Sequence, residues 1–507
     1  METATQVLHR LTSYEPGREW DEAPDDPRIR QDFEPNDDGI LPLFYKRYDA
    51  GLPRVPLPRD LPVTAGPALA VLAGTAPGAT GAGLDLGGLA RLLYLSAGVV
   101  RTSPRRYGPH LFRAAGSAGG RFPMEAYVAI PDGSPGLPAG VHWYHPQDHA
   151  LVTIGPAPGG DAPALVVTGV PWRTGWRYRE RGFRHVYWDS GTMLSQVLAL
   201  GDSAGLAPRL YSRFPDGRVA ALTGADQVHE WPVALVALGP GTPAIEPAGP
   251  AASGAVDASP LEFPLVTAAQ RGGDDDALGE PWDAGAPVDI PGRVLARHGA
   301  TVDAVISRRG SQRRMDPGRG LARDTLDSCL SVALRGIGVA HWIAVHDVTG
   351  PPAGEAGPAG LAPGIYHWRD GAARLVREGT AAGTRAELYR VSLEQALARD
   401  AAFVVISATG IAKLSDREYR EAQLAAGIVE GRLHLAAYAL GAGATGMTFR
   451  DSDIAALLRA DDPAPGEPLD EYPDGLLFTC VGVPGNTAKA AGPPGAPTEV
   501  RRVPERG

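Results

Sequence analysis

The amino-acid sequence predicts an α+β fold that occurs twice in tandem, with helices flanking a mixed or antiparallel sheet in each copy. Three pairs of similar segments support this prediction: two Gly-to-Gly runs with helical spacing of apolar residues, two strand-turn-strand patterns and one recurring phrase. The pairs are residues 191–205 with 427–441, residues 137–152 with 361–376, and Phe214 to Leu222 with Phe449 to Leu457. Because internal repeats mark one structural unit that is used again, we expect two copies of one fold.

Composition restricts the class of protein. The chain has 507 residues with 65 Gly and 48 Pro, which indicates long loops around compact domains rather than a coiled coil. It contains no run of 18 apolar residues and no apolar segment near its N-terminus, so we expect no membrane span, no signal peptide and a cytoplasmic location. The net charge of -10 argues against nucleic-acid binding. Cys329 and Cys480 are too few for a disulfide framework or a zinc site, and no metal is expected.

Changes in composition divide the chain into five predicted segments. The N-terminus is acidic and Pro-rich, and its aromatic cluster (Phe44, Tyr45 and Tyr48) is expected to dock onto another part of the chain. A central stretch dense in Pro, Gly and Asp is typical of an interdomain linker. The segments are an arm (1–58), a first domain (59–238), a linker (239–292), a second domain (293–485) and a disordered tail (486–507).

Two short motifs suggest functions that their context does not support. Gly441, Gly443 and Gly446 have the spacing of a dinucleotide-binding turn, but that turn requires a preceding strand and here a helical pattern precedes it. Gly441 is therefore predicted to end a helix. Ser203 lies in a G-x-S-x-G sequence, as in esterases, yet it also follows a helical pattern, so we expect a helix-end residue.

Longer segments resemble a known family. The segment "RAAGSAGGRFPMEAYVAI" (113–130) is similar to one found in SagB-type dehydrogenases, a branch of the FMN-dependent nitroreductase superfamily, with Gly116 where that pattern has Pro. The segment "ISRRGSQRRMD" (306–316) resembles the opening phrase of the superfamily, with Met315 in place of Phe. The resemblance covers about residues 60–240 and 296–485. It implies a nitroreductase-like fold, FMN as cofactor and oxidoreductase activity.

The Arg-rich segment of the second block is the candidate phosphate site. Three guanidinium groups and one hydroxyl lie within six residues, on Arg308, Arg309, Ser311 and Arg313, and planar donors of this kind match a flavin phosphate. The alternative is a solvated basic face before a helix. The tandem arrangement favours phosphate binding.

The small residues of the first block are the candidate site for the flavin ring. Ser117, Ala118, Gly119 and Gly120 combine small side chains with free backbone N–H groups, so a flat ring can approach the backbone closely. The alternative is an ordinary tight turn. The resemblance further implies that the loop after the central helix of the second block, at Gly443 and Ala444, contacts the cofactor.

Each block lacks what the other has. The first block has no cationic residue in 64–74, where the second has its Arg-rich opening, and the second has no counterpart of the small-residue segment in 331–348. Proteins of the family are homodimers with flavins at the interface. Our hypothesis is an intrachain pseudo-dimer with one composite FMN site and a degenerate second site. Whether the pseudo-dimer dimerises again stays open.

The candidate catalytic residues come from the same resemblance. A Lys-Tyr pair precedes the central helix in related azoline dehydrogenases, and the matching residues here are Arg177 and Tyr178, while the second block has Lys413 and Leu414. Arg cannot become neutral near pH 7, so Tyr178, with a pKa lowered by Arg177, is the candidate acid/base. The alternative is that both residues only pack beneath the helix.

Several functions remain open at this point. The main expectation is FMN-dependent dehydrogenation of a peptide or peptide-derived substrate, such as azoline to azole, with oxygen reoxidising the flavin. One alternative is a nitro or quinone reductase that uses NAD(P)H. Another is a flavin-free scaffold or peptide-binding partner of the enzymes in a modification complex. An esterase that uses Ser203 is the least supported.

Overall fold

Two sheets, each flanked by helices, form the framework of the chain. The computed structural model describes residues 2–19, 24–76, 83–106, 108–351, 354, 356–459, 473–489 and 491–499. The first half contains α1 (Ala4–Leu11), β1 (Arg54–Pro56), α2 (Ala68–Leu72), α3 (Leu86–Ala97), β2 (Val99–Arg105), β3 (Gly108–Arg113), β4 (Met124–Ile130), β5 (Gly140–His145), β6 (Ala150–Gly155), β7 (Ala164–Gly169), α4 (Pro171–Tyr178), α5 (Gly182–Ser203), β8 (Arg209–Tyr211), α6 (Asp216–Thr223) and β9 (Trp231–Ala237). The second half contains α7 (Pro264–Gly272), α8 (Gly292–Arg297), α9 (Val302–Arg308), β10 (Leu321–Ala322), α10 (Arg323–Ala333), β11 (Ala340–Val345), β12 (Val348–Thr349), β13 (Gly364–Arg369), β14 (Ala372–Glu378), α11 (Ala381–Val391), α12 (Ala396–Asp400), β15 (Phe403–Thr409), α13 (Asp416–Ala439), β16 (Gly443–Met447), α14 (Ile454–Leu458), β17 (Asp474–Gly482) and β18 (Thr498–Glu499).

The two sheets share one topology. The strand order is β1-β6-β5-β4-β7-β9-β8 in the first sheet and β14-β13-β11-β15-β17-β16 in the second. All neighbouring strands within these sheets are antiparallel. Apart from β1, the strands correspond one to one, and each sheet places its long helix (α5 or α13) at the same point of the chain. The predicted fold class, two α+β copies in tandem, is confirmed.

Local sequence explains which strands lie inside. The strands β4, β7 and β9 are mostly apolar, with Glu125 and Thr168 as exceptions, and every residue in them is buried, as expected for short strands at the centre of a covered sheet. The edge strand β14, which contains three Arg or Glu residues, is half exposed. Charged side chains on an exposed edge oppose pairing with other chains.

The long helices α5 (22 residues) and α13 (24 residues) join the halves. Glycines permit their close approach: a Cβ atom on Gly191 would lie 2.6 Å from the Gly427 carbonyl carbon, and one on Gly427 would lie 2.5 Å from the Trp188 carbonyl oxygen. The helix α13 begins at a capping box, in which the Ser415 and Glu418 side chains satisfy the first backbone N–H groups. The pseudo-dimer is therefore held by a backbone-to-backbone helix crossing.

Two buried ion clusters also join the halves. In each cluster, an Asp of one half accepts hydrogen bonds from two Arg residues near the start of the central helix of the other half. The clusters are Asp451 with Arg181 and Arg184, and Asp216 with Arg417 and Arg420. In both sets the Arg residues are three positions apart on one helix face. The same Asp-to-two-Arg cluster therefore occurs twice between the halves, once in each direction.

The arm and the predicted linker both contribute helices. The helices α1 and α7 lie against each other and against α13. After α1, the Tyr14 N–H donates to Asp451 (2.7 Å), and after α7 the Asp275 N–H donates to Asp216 (2.9 Å). Later in the arm, Lys46 forms a buried ion pair with Glu230 at 2.6 Å. The boundaries predicted at 58, 238, 292 and 485 stay predictions.

The two misleading motifs both lie at helix ends. Gly441 follows α13 with a φ of +79°, and β16 comes after it, so the helix precedes the glycines as predicted. Ser203 is the last residue of α5, and its hydroxyl donates to the Leu200 carbonyl oxygen at 2.8 Å. Within the described ranges, no helix is long and apolar enough to cross a membrane.

Candidate functional site

A cavity of about 640 Å³ lies where the two halves meet. Both halves line it, with the N-terminal part of α5 on one side and the middle of α13 on the other. The lining residues of the first half are Arg105, His110, Phe112, 117–120, Arg177, Tyr178, His185, Trp188 and Asp189, and those of the second half are 311–313, Gln395, Leu397, Glu430, 445–448 and Leu477. The predicted ring-binding and phosphate-binding segments therefore share one cavity.

The small-residue turn (117–120) forms one wall. Gly119 and Gly120 have φ values of +59° and +65°, which favour glycine. A Cβ atom on Gly119 would lie 2.9 Å from the Tyr178 hydroxyl oxygen, so a side chain would not fit. The Asp189 carboxylate holds the turn, because it accepts hydrogen bonds from the Ser117 hydroxyl (2.5 Å) and the Ala118 N–H (2.9 Å). Burial raises the pKa of Asp189 well above its usual value.

The Arg-rich segment is divided by the end of α9. Ser311 and Arg313 line the cavity, close to the turn: a Cβ atom on Gly116 would lie 3.5 Å from the Ser311 hydroxyl oxygen. Arg308 is exposed and does not line the cavity, since its Nε donates to the Ala304 carbonyl oxygen within α9. Of the three predicted Arg residues, Arg313 is the one that reaches the cavity.

Arg309 lies beneath the cavity, in the contact between the halves. It is 2% exposed, and its guanidinium donates to the Ala114 carbonyl oxygen in the first half. Burial lowers the pKa of Arg309 to about 10. Its position fits a role in holding the first half against the Arg-rich segment.

Arg177 and Tyr178 both line the cavity, and their environment differs from the expectation. Burial raises the pKa of Tyr178, and Arg177 lowers it by a smaller amount, so the predicted net lowering is wrong. The Arg177 Nε is buried and has no hydrogen-bond partner among the described residues. Tyr178 therefore keeps its proton at neutral pH.

Besides Arg308 and Arg309, three further predicted residues lie outside the lining. Lys413 belongs to a short 3-10 turn before α13, away from the cavity. Gly443 and Ala444 lie at the start of β16, where the Ala444 carbonyl oxygen accepts from the Gln312 N–H at 3.0 Å. A Cβ atom on Gly443 would lie 2.9 Å from the Gln312 side chain, which does line the cavity. The start of β16 thus supports a lining residue, while residues 445–447 of the same strand form part of the wall.

Sequence reasoning missed several lining residues. They are Arg105 on β2, His110 on β3, His185 and Asp189 on α5, and Glu430 on α13. Asp189 is a charged residue within a buried helical pattern, a signal that could have pointed to it. Arg105 and His110 lie on the hairpin β2–β3, for which the second half has no counterpart.

In the second half, other side chains of the protein occupy the position that is equivalent to the turn 117–120. Gly336, with a φ of +68°, stands where the first half has Gly120, and its carbonyl oxygen accepts from the Trp282 indole N–H at 3.0 Å. Arg335 donates to the Gly285 carbonyl oxygen at 3.0 Å. Alignment of Gly191 with Gly427 pairs three of the lining residues with aliphatic ones: Tyr178 with Leu414, Trp188 with Leu424, and Asp189 with Ala425.

Comparisons with known proteins identify the fold. No family model matches the chain. A presumed nitroreductase of Methanocaldococcus jannaschii is 28% identical over 143 residues, which cover 25% of this chain and 70% of that protein. The crystal structure of a presumed nitroreductase from Anabaena variabilis is 22% identical and covers 96% of this chain and 100% of its own, with a TM-score of 0.66. The chain therefore has the nitroreductase fold over its whole tandem.

A chain of the Escherichia coli microcin synthetase McbBCD, solved with truncated pro-MccB17 bound, is similar over a shorter part. It is 22% identical and covers 31% of this chain and 64% of its own, with a TM-score of 0.26. A likeness of this size carries no argument about function.

Proposed function

We propose that the chain is an FMN-dependent oxidoreductase with one composite flavin site in the cavity between its halves. One observation carries the proposal: the turn 117–120 of the first half and Ser311 and Arg313 of the second line the same cavity. Its volume of about 640 Å³ lies within the range of small-molecule and cofactor sites, roughly 300–1,000 Å³.

The residues present offer groups suited to both parts of FMN. The Arg313 guanidinium and the Ser311 hydroxyl are donors suited to a phosphate, and Arg105 adds a second guanidinium whose buried Nε has no partner among the described residues. Gly119 and Gly120 present backbone without side chains, so a flat ring can lie against them. Asp189 fixes this turn from behind.

The chain's own residues set the proton chemistry. When bound, FMN supplies hydride acceptance from the substrate, with oxygen as the final electron acceptor. Tyr178 holds its proton on Oη at neutral pH because burial raises its pKa, so it acts as a hydrogen-bond or proton donor. Arg177 stays charged and cannot serve as a base. The His185 ring stacks on Tyr178, and Trp188 packs against His185 in the same wall.

The substrate we propose is a peptide or peptide-derived product, with an azoline oxidised to an azole. The support is the resemblance of residues 113–130 to SagB-type dehydrogenases, together with a donor, Tyr178, that can bond the ring nitrogen of an azoline. A hydrogen bond to that nitrogen draws electron density from the ring, so that the neighbouring C–H proton would pass more easily to water in the cavity while the hydride would go to bound FMN.

Flavin stoichiometry tests the single site. The visible spectrum of the purified protein, titrated with FMN, should give one equivalent per chain, because Trp282 and Arg335 fill the pseudo-equivalent position. Two equivalents would contradict the composite site. A colourless protein that cannot be reconstituted would favour a flavin-free partner role, and rapid bleaching by NADPH would favour a nitro or quinone reductase.

Substitution of Tyr178 tests the proton donor. Tyr178→Phe should retain FMN with an unchanged dissociation constant and lose at least 100-fold in turnover of a thiazoline peptide, because general acid–base groups contribute about 10²–10⁴-fold. Tyr366→Phe is the matched control, since the Tyr366 hydroxyl donates to the Ala362 carbonyl oxygen in the second half, outside the cavity lining. Unchanged turnover in Tyr178→Phe would remove Tyr178 from the reaction.

A further inference from the structure

His185 is a buried polar side chain that faces the cavity without a partner. The residue is 4% exposed and lines the cavity. Among the described residues, neither ring nitrogen has a hydrogen-bond partner. Because a buried donor or acceptor left unpaired costs free energy, such groups are normally satisfied, and the His185 side chain borders the cavity. A ligand in the cavity would supply the partner.

Two aromatic neighbours fix the imidazole ring. The Tyr178 ring stacks on it with centroids 4.1 Å apart and an interplanar angle of 8°. The Trp188 ring packs against it at 4.6 Å and 55°. A ring held between two others keeps its nitrogens in one position, as a recognition group requires.

The charge state of His185 defines what it can recognise. Its pKa lies well below the usual value because of burial and, to a lesser degree, the positive charges of Arg184 and Arg181. The ring is therefore neutral at pH 7. A neutral imidazole offers one N–H donor and one acceptor nitrogen.

The second half shows that the fold does not need this imidazole. With Gly191 aligned on Gly427, the counterpart of His185 is Glu421. The Glu421 carboxylate accepts hydrogen bonds from the Arg213 guanidinium (2.9 and 2.8 Å) and the Ser212 hydroxyl (2.8 Å). The same helix position thus carries an ordinary ion pair in the second half, and in the first half an imidazole beside the cavity with no hydrogen-bond partner among the described residues.

We propose that His185 determines substrate specificity by hydrogen-bonding a neutral amide group of the substrate beside Tyr178. This inference rests on the proposed flavin site. An amide can donate its N–H to the acceptor nitrogen of the imidazole. A carboxylate has no proton to donate and cannot pair with that nitrogen. Peptide-derived substrates carry such amides along their backbone.

Ligand binding by the FMN-loaded full chain tests this inference. Benzamide serves as the neutral amide probe and benzoate as its carboxylate counterpart, with dissociation constants from calorimetry. His185→Phe keeps a ring for the aromatic stack and removes both nitrogens. It should weaken benzamide at least tenfold and benzoate less than threefold, with the FMN dissociation constant within twofold of wild type. His185→Gln, which restores one donor and one acceptor, should recover part of the benzamide affinity.

The controls separate this inference from the proposed function. His341→Phe removes another buried imidazole that does not line the cavity, and it should leave both probes unaffected. Equal benzamide binding by wild type and His185→Phe, with FMN bound to both, overturns the role of His185 alone. A wild-type chain that binds no FMN refutes the flavin site instead, and the inference falls with it. If His185→Phe does not fold, benzamide should still shift the imidazole ¹⁵N resonances of His185 in the wild type; unchanged resonances overturn the inference.

Discussion

Gly427→Ala should destabilise the chain by forcing the two central helices apart. A Cβ atom at this position would lie 2.5 Å from the Trp188 carbonyl oxygen and 2.7 Å from the Trp188 Cα atom. Both contacted atoms belong to the backbone of α5, so no side-chain rotation can relieve the overlap. Restoring ordinary van der Waals contact requires the helices to separate by roughly 1 Å, which forfeits a quarter to a half of each affected dispersion contact.

The expected cost follows from this geometry. Overpacking a close contact typically costs about 1–3 kcal/mol, and we expect about 3 kcal/mol because two long helices must move as units. In urea unfolding followed by circular dichroism, that loss lowers the midpoint by on the order of 1 M. The FMN dissociation constant should also rise, because α5 carries His185 and Asp189 while α13 carries Glu430, and their spacing sets the width of the cavity.

A second glycine provides the control. Gly217 lies in α6, and a Cβ atom there would meet nothing within 4 Å. Gly217→Ala should therefore leave the midpoint unchanged or raise stability by about 0.5 kcal/mol. If Gly427→Ala unfolds at the same urea concentration as wild type, the close helix crossing, and with it the proposed width of the cavity, is wrong.

Two further predictions concern single buried groups. Asp189→Ala removes the acceptor of Ser117 and Ala118, so FMN affinity should fall about tenfold, or roughly 1.4 kcal/mol; Asp161→Ala, which removes a similar acceptor on an exposed loop, should not change it. Burial lowers the pKa of His149 to about 4, so its contribution to stability is present above pH 6.5 and is lost as pH falls through about 4. Its share of the unfolding free energy should drop by about 2 kcal/mol between pH 7.5 and 5. His149→Gln should remove that part of the pH dependence, and an unchanged pH profile would contradict the assignment.

The repeat made the fold and the shared cavity predictable. Two Gly-to-Gly helices and matching strand pairs sufficed to predict a tandem, because apolar period and turn residues report local structure directly. Placing the turn 117–120 and the Arg-rich segment on opposite sides of one interface required only the observation that each block lacks what the other has. The turn 117–120, Ser311 and Arg313 line the cavity as this reasoning predicts, and Arg177 and Tyr178, which were predicted from the family resemblance, line it too.

Side-chain direction was not predictable from the same patterns. Consecutive Arg308 and Arg309 differ in burial because α9 ends between them, and a helix end is uncertain by one or two residues from sequence. The contact between Asp189 and Ser117 spans 71 to 72 residues of chain, so no local signal reports it. The pKa of Tyr178 depends on burial, which outweighs the neighbouring charge that sequence alone reveals.

Fusion of the two halves explains why one cavity can be polar while its counterpart is closed. In a homodimer every residue occurs at both equivalent positions, so both cavities would carry the same buried polar groups, and each such group costs free energy unless it is paired. In a single chain the counterpart of Asp189 is Ala425, and that of Tyr178 is Leu414, which packs with Trp282 and Ile337 against the core. The apolar side can therefore stabilise the helix crossing, while the polar side keeps unpaired groups such as Arg177 and His185 for a ligand. This division requires two different sequences for one fold, and a tandem chain supplies them.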